Sequence, residues 1–298
     1  MQLQGAMTAM VTPFRDGKVD DQKLRSNVEW QIEQGIDGLV PCGTTGESPT
    51  LNHEEHDRVI AAVVEAVAGR VPVIAGTGSN STDEALRLTK AAKVAGADAS
   101  LQVNPYYNKP TQEGLYRHFM TIADTCDMPL VLYNIPGRTG VTMAADTVAR
   151  LAAHPRIVAI KEATGSLDMA SDILSRCDIT VLSGDDSLTL PLMAVGGRGV
   201  ISVATNLIPR RVKAMTDAAR QGNFDAARKK HLELFELFTM FFIEGNPASI
   251  KAAMQLCGRD TGELRLPLAP ISDASRELLT QTLQKHGVLD GELATTAG

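Results

Sequence analysis

Apolar positions along the chain follow two alternating rhythms. Short runs such as Val71-Pro72-Val73-Ile74-Ala75 and Ile157-Val158-Ala159-Ile160 are apolar at every position. A strand covered on one side alternates, so continuous runs suit parallel strands covered on both sides. Eight stretches are predicted as strands: Ala6–Thr12, Gly38–Cys42, Val71–Gly76, Ala99–Asn104, Leu130–Asn134, Ile157–Glu162, Thr180–Ser183 and Gly199–Ala204. Between them apolar residues return every three or four positions, which predicts helices that include Leu24–Gln34, Glu54–Ala68, Asp83–Ala95, Gln112–Thr125 and Ala145–Ala153. Eight strand-plus-helix steps fit a closed (β/α)8 TIM barrel of the α/β class, whereas a doubly wound open sheet usually has fewer strands. The barrel is expected to end near Gly222. Helical periodicity then resumes in Phe224–Met240, Ala248–Leu256 and Ala274–Lys285. No linker rich in Gly and Ser intervenes, so the expected organisation is a catalytic barrel over residues 1–222 with a C-terminal helical bundle over 223–298 packed on it. The stripe Leu232-x-x-Phe235-x-x-Phe238 reads as core or subunit contact rather than as a ligand box.

A chain of 298 residues is long enough for one large barrel or two ordinary domains. Its 29 Lys plus Arg against 35 Asp plus Glu give a net charge of −6 with both signs interspersed. Such a surface gathers neither phosphate backbones nor anionic lipid, so no nucleic acid or membrane partner is expected, and small molecules and other subunits are. Cys42, Cys126, Cys177 and Cys257 lack the C-x-x-C pairing of redox and zinc sites and read as reduced thiols. No basic stretch precedes the apolar residues near Met1, and no run approaches the ~18 apolar residues that span a bilayer, so a cytoplasmic location is expected.

Active sites of such barrels are built from the loops that follow the strands. After the second predicted strand comes Gly43-Thr44-Thr45-Gly46-Glu47-Ser48, where two hydroxyls and backbone N–H groups suit an oxyanion. A simple turn before a helix capped by Asn52 and Glu55 is the competing reading. After the fifth comes Tyr133-Asn134-Ile135-Pro136-Gly137-Arg138, a phenol and a guanidinium on one rim. Three of the four tyrosines, Tyr106, Tyr107 and Tyr133, fall on this face. Lys161 ends the apolar run of the sixth strand, which aims its amine into the barrel mouth, and alternation turns Glu162 the other way. Full burial lowers a lysine pKa of ~10.4 by as much as ~3–5 units, and the neutral amine adds to ketones. Schiff-base formation also needs a proton carrier, for which Tyr133 on the adjacent strand is suited. Gly76-Thr77-Gly78-Ser79-Asn80-Ser81 lacks the third glycine of a dinucleotide fingerprint, and His53-Glu54-Glu55-His56 spaces its histidines at i and i+3 instead of the i and i+4 of a zincin, so no metal is expected.

Gly43-Thr44-Thr45-Gly46-Glu47, Tyr133-Asn134-Ile135-Pro136-x-Arg138-Thr139, Lys161-Glu162-Ala163 and Ser183-Gly184-Asp185-Asp186 occur in order at strand ends. With Asn246-Pro247 and Leu264-Arg265-Leu266-Pro267-Leu268 in the tail, the chain closely resembles the dihydrodipicolinate synthase family of pyruvate-dependent class I aldolases. The resemblance implies a homotetrameric barrel that condenses pyruvate with L-aspartate 4-semialdehyde in lysine and diaminopimelate synthesis, with no cofactor because the iminium is the electron sink. It makes Lys161 the Schiff-base lysine and Tyr133 the proton donor and acceptor. Thr44 would link Tyr133 to Tyr107, which in the family reaches across a dimer interface. Thr45 and Val203 fall at pyruvate-binding positions, Gly184 at a substrate-binding position, and Arg138 at the semialdehyde carboxylate. Ser48, His53, His56, Asn80, Glu84 and Tyr106 match positions that bind inhibitory L-lysine in many bacterial members, although Ser81 and Glu84 also read as a capping box. Val203 stands where isoleucine is frequent, and Asn246-Pro247-Ala248-Ser249 departs from the usual Asn-Pro-x-Pro. N-acetylneuraminate lyases and sugar-acid aldolases resemble the same scaffold but have no need of a carboxylate clamp at Arg138. A ligand-sensing barrel without catalysis is the alternative of another class.

Overall fold

The computed structural model describes residues 3–291, so the outermost ends of both expected regions, residues 1–2 and 292–298, lie outside the described residues. Eight parallel strands form the barrel: β1 (Gly5–Ala9), β2 (Gly38–Val40), β3 (Ile74–Gly76), β4 (Ala99–Val103), β5 (Leu130–Asn134), β6 (Ile157–Glu162), β7 (Thr180–Ser183) and β8 (Gly199–Ser202). Ladders run in the order β2-β1-β8-β7-β6-β5-β4-β3, and a parallel bridge between Leu39 and Val73 closes the ring. The expected (β/α)8 TIM barrel is therefore the fold.

Several strands are shorter than the apolar runs that predict them, and prolines account for part of this. Pro41 and Pro72 have no N–H to give a ladder. The Pro72 carbonyl still accepts from Leu39 N at 3.0 Å, but β2 ends at Val40 and β3 begins only at Ile74. The β2–β3 seam is thus the thinnest in the ring. Gly76 lets it close, since a Cβ there would lie 2.2 Å from the Cys42 carbonyl oxygen.

Helices α1 (Asp21–Glu33), α2 (His53–Val67), α3 (Thr82–Ala95), α4 (Gln112–Cys126), α5 (Ala145–Ala152), α6 (Leu167–Arg176), α7 (Thr189–Ala194) and α8 (Pro209–Arg220) follow the strands in turn. Asn52 and Glu55 do form a full capping box at α2, so that part of the competing reading is correct alongside the site described below. Every strand contributes to a separate apolar cluster that fills the barrel interior, among its members Met7, Val40, Ile74, Leu101, Val131, Ala159, Leu182 and Ile201. Lys161 lies two residues beyond Ala159 and so shares this inward face.

The described tail contains α9 (Phe224–Met240), α10 (Ala248–Leu256), α11 (Asp273–Lys285) and the short α12 (Val288–Gly291). Its Leu237, Phe241, Ile250 and Leu279 belong to the same apolar cluster as Val28, Leu39 and Val212 of the barrel, so the two share one core. Within the predicted stripe only Phe238 is buried, while Leu232 and Phe235 stay 67% and 47% exposed on the outer face of α9. Among the described residues no helix is long and apolar enough to cross a membrane.

Substituting Gly76→Ala should force the seam open, with a cost of ~1–3 kcal/mol for overpacking. Thermal unfolding should show a midpoint lower by several degrees, and an unchanged midpoint would mean that the strands have slack at this point.

Candidate active site

Register brings the central pair together. Tyr133 on β5 is the ladder partner of Lys161 on β6, so both side chains enter the lumen side by side. The Lys161 Nζ sits 4.3 Å from the centroid of the Tyr133 ring. Lys161 is 6% exposed, and burial lowers its pKa to about 8; the Asp185 and Asp186 carboxylates oppose that shift and Arg138 adds to it. Asn134 and Glu162, the next pair in register, face outward as alternation requires. The Glu162 carboxylate takes hydrogen bonds from Thr164 N at 2.7 Å and Asn134 Nδ2 at 3.3 Å, well away from the amine.

Gly184 serves Lys161 by having no side chain. A Cβ there would stand 2.5 Å from the Ala163 Cβ and 3.1 Å from the Lys161 Cε. Its N–H already donates to the Glu162 carbonyl at 2.7 Å, which directs its role toward leaving space.

The Tyr133 phenol is raised above its ordinary pKa by burial, partly offset by Arg138 and by a hydrogen bond with the Thr44 hydroxyl. Thr44 therefore stands where the sequence places it. Thr45 beside it is 2% exposed and accepts from Asn246 Nδ2 at 3.0 Å. Arg138 is carried by the short helix Pro136–Thr139 just past β5 and donates through Nη2 to the Asn246 carbonyl at 3.2 Å. Val203 is buried at the end of β8. Its N–H is held by Asp186 at 3.2 Å and its carbonyl by Asn206, from N at 3.1 Å and Nδ2 at 2.9 Å, so any backbone contact it makes to a ligand is shared with these groups.

Tyr107 is not part of this constellation within one chain. It is 90% exposed, with φ at +73°, and it stands outside the cavity that Tyr133 lines. The expected relay from Tyr133 through Thr44 to Tyr107 is therefore incomplete in the single subunit.

A cavity of about 400 Å³ runs from Thr44, Tyr133 and Arg138 to Ser48, His53, His56, Glu84 and Tyr106, so five of the six residues of the expected second site share walls with the first. Asn80 contributes backbone at its edge, accepting from Asn108 Nδ2 at 2.9 Å and hydrogen-bonding the Tyr106 phenol. Glu84 is not the second half of a capping box. Ser81 accepts from its backbone N–H, but the Glu84 carboxylate turns away to Ser79 Oγ and to His53 Nε2 at 3.0 Å. These bonds hold its pKa below the usual carboxylate value. His56 is buried, keeps a low pKa through desolvation and bonds the Gly76 carbonyl through Nε2 at 2.9 Å, while its Nδ1 makes no hydrogen bond and lies 3.8 Å from Asp57 Oδ1.

Sequence reasoning missed the acids and the tail. Asp186 is fully buried and accepts from Ser202 Oγ and from the N–H groups of Val203 and Ala204, so it fixes the end of β8. Asp185 lies close enough to Lys161 for each to shift the other's titration. Both acids belong to the quoted Ser183–Asp186 motif, and a strand end followed by two carboxylates was the available signal. Glu47 pairs with Lys251 of α10, 2.7 Å apart and both wholly buried, a partnership across about two hundred residues that local patterning does not reveal. Among the described residues no group of three or more His, Cys, Asp or Glu side chains is arranged to hold a metal ion.

Comparison with known proteins agrees with this geometry. The family described as the dihydrodipicolinate synthetase family matches residues 2–286. A 4-hydroxy-tetrahydrodipicolinate synthase from Pelobacter propionicus is 57% identical over 288 residues, covering 96% of this chain and 99% of the relative. Two solved structures superpose closely. A dihydrodipicolinate synthase from Acinetobacter baumannii complexed with pyruvate has a TM-score of 0.94 at 45% identity, covering 96% of this chain and 100% of its own. One from Cyanidioschyzon merolae with lysine bound has a TM-score of 0.93 at 43% identity, covering 96% of this chain and 99% of its own. A full-length match, a buried lysine in register with a tyrosine and a barrel of the same shape lead to one conclusion: the chain belongs to the dihydrodipicolinate synthetase family.

Proposed function

We propose that the chain condenses pyruvate with L-aspartate 4-semialdehyde to 4-hydroxy-tetrahydrodipicolinate through a Schiff base on Lys161, a lyase reaction of lysine and diaminopimelate synthesis. The observation that carries this reading is the buried Lys161 amine, with its pKa lowered to about 8, beside the Tyr133 phenol. The neutral amine adds to the pyruvate ketone, and the carbinolamine must then gain a proton on oxygen to lose water. Tyr133 is the group at hand, and its raised pKa keeps the proton on oxygen until it is needed. The iminium draws electrons from the methyl group, which loses a proton, and the enamine attacks the aldehyde carbon. The new alkoxide takes a proton, and the semialdehyde's own amine displaces the Lys161 nitrogen and closes the ring. One water leaves overall.

Thr45 and the adjoining backbone suit the pyruvate carboxylate. Arg138 suits that of the semialdehyde, because a guanidinium fork grips a carboxylate with two parallel hydrogen bonds. A sugar-aldehyde partner would need hydroxyl recognition there instead. The exposure of Tyr107 supports a relay completed by a second copy of the chain, with the homotetramer as the working assembly and the cytoplasm as its location. L-lysine is the proposed inhibitor. Glu84 would receive its ammonium, and the relative with lysine bound supports lysine as a ligand of this family.

Borohydride reduction with pyruvate present should add a reduced pyruvyl mass to the peptide that contains Lys161. The rate should rise with pH through a midpoint near 8, since the reactive neutral amine becomes the major form above its lowered pKa. An adduct elsewhere, or a rate flat between pH 6.5 and 9, would refute the mechanism.

Arg138→Ala should cost about 100-fold or more in condensation, the scale of a lost charge-assisted pair, yet leave imine formation within a few-fold. Steady-state assay beside borohydride labelling measures the split, with N-acetylmannosamine as the control aldehyde precursor. Equal losses in both would move Arg138 out of the semialdehyde site.

Saturating L-lysine should lower the condensation rate, and Glu84→Gln should raise the half-inhibiting concentration about 10-fold while the uninhibited rate stays near that of the parent. A rate indifferent to lysine would leave His53, Ser79 and Glu84 as a structural cluster.

A further inference from the structure

We propose that Asn246, backed by the buried Lys251–Glu47 pair, is a positioning residue that aims both carboxylate-binding side chains, Thr45 and Arg138, into the barrel mouth. The inference rests on the proposed reaction, in which those two side chains receive the two substrates.

Asn246 acts on both sides at once. Its Nδ2 donates to Thr45 Oγ1 at 3.0 Å, and its backbone carbonyl accepts from Arg138 Nη2 at 3.2 Å. A hydroxyl has one proton and two lone pairs. With a lone pair of Thr45 taken by Asn246, its proton remains for an acceptor in the mouth, which is what a carboxylate offers. On Arg138 one N–H is anchored and the others of the fork stay available. One tail residue therefore fixes the spacing between a donor for pyruvate and a donor for the semialdehyde.

The loop that carries Thr45 needs such an anchor. Cys42 and Glu47, at its two ends, both lie in the left-handed region, with φ at +55° and +53°. Non-glycine residues persist there only where surroundings over-determine them. Both carboxylate oxygens of Glu47 are held from the tail, Oε1 by Lys251 Nζ at 2.7 Å and Oε2 by Arg265 N at 3.2 Å. Lys251 Nζ also donates to the Thr12 carbonyl at 2.9 Å and lies 4.4 Å from the centroid of the Phe14 ring. Thr12 in turn donates through Oγ1 to the Gly46 carbonyl at 2.6 Å. A buried ion pair adds little net stability compared with an apolar packing of the same volume. What this one supplies is a fixed path for the loop, and Asn246 lies five residues before Lys251 on the same tail segment.

The test compares the parent with Asn246→Ala and with the double variant Glu47→Gln plus Lys251→Met, which replaces the charges by neutral side chains of similar size. Thermal unfolding, borohydride labelling of Lys161 against pyruvate concentration, and steady-state kinetics are measured on each. Asn246→Ala should unfold within a few degrees of the parent. It loses the bond to Thr45 but keeps the backbone carbonyl that holds Arg138, so it should raise the pyruvate concentration for half-maximal labelling about 10-fold, the scale of one lost hydrogen bond, and the KM for semialdehyde less, while labelling at saturating pyruvate keeps its extent and its pH midpoint. The double variant should shift both constants in the same direction. An Asn246→Ala protein with the parent's pyruvate constant, or one that loses kcat alone, would overturn the proposal. Should the double variant not fold, the Asn246→Ala result decides by itself. A parent that labels with pyruvate while Asn246→Ala is indistinguishable sinks this inference alone, whereas a parent that never labels sinks the reaction.

Discussion

An ammonium in the lumen of a packed barrel is costly, and much of the site's arrangement follows from that cost. Desolvation pushes the Lys161 amine toward its neutral, nucleophilic form, while Asp185 and Asp186 keep the shift moderate. Too deep a shift would give an amine that binds ketones poorly as an iminium, because the iminium is itself a cation in the same dry place. The two carboxylates are therefore as much a part of the chemistry as the burial. Gly184 provides the space through which the lysine stem passes, and Tyr133 covers the amine with the face of its ring.

The barrel was legible from the chain because parallel strands covered on both sides leave an unmistakable record of continuous apolar runs. Leu130–Asn134 and Ile157–Glu162 are found with the predicted limits, and so are Phe224–Met240 and Ala248–Leu256. Where prediction overran, as in Val71–Gly76, a proline near the start of the run delayed the strand to Ile74. Lys161 and Tyr133 were legible for a related reason: each sits at a strand end, where period-two alternation fixes the face. Glu47, Lys251 and Asn246 were not. Their meaning depends on which distant segment meets which, and a glutamate in a glycine-rich loop reads locally as a solvated charge. Only the tertiary fold reveals it as wholly buried.

The two halves of the cavity meet at Gly76. Its missing side chain lets β3 pass against the loop after β2, and its carbonyl holds His56. A ligand that pulls on His56 thus pulls on a point of contact with the loop of Thr44 and Thr45. His56 and that loop thus both rest on one residue, at a seam with little ladder.

The anchoring of Glu47 from the tail bears on how the chain acquires activity as it is made. Synthesis runs from the N-terminus, and the last barrel strand is complete at Ser202, while Lys251 and Arg265 emerge much later. A nascent barrel at that stage has every strand but carries the Glu47 carboxylate without its cation, so the loop of Thr44 and Thr45 has no reason to settle. The Glu47 carboxylate gains both of its tail partners only once residue 265 has been made.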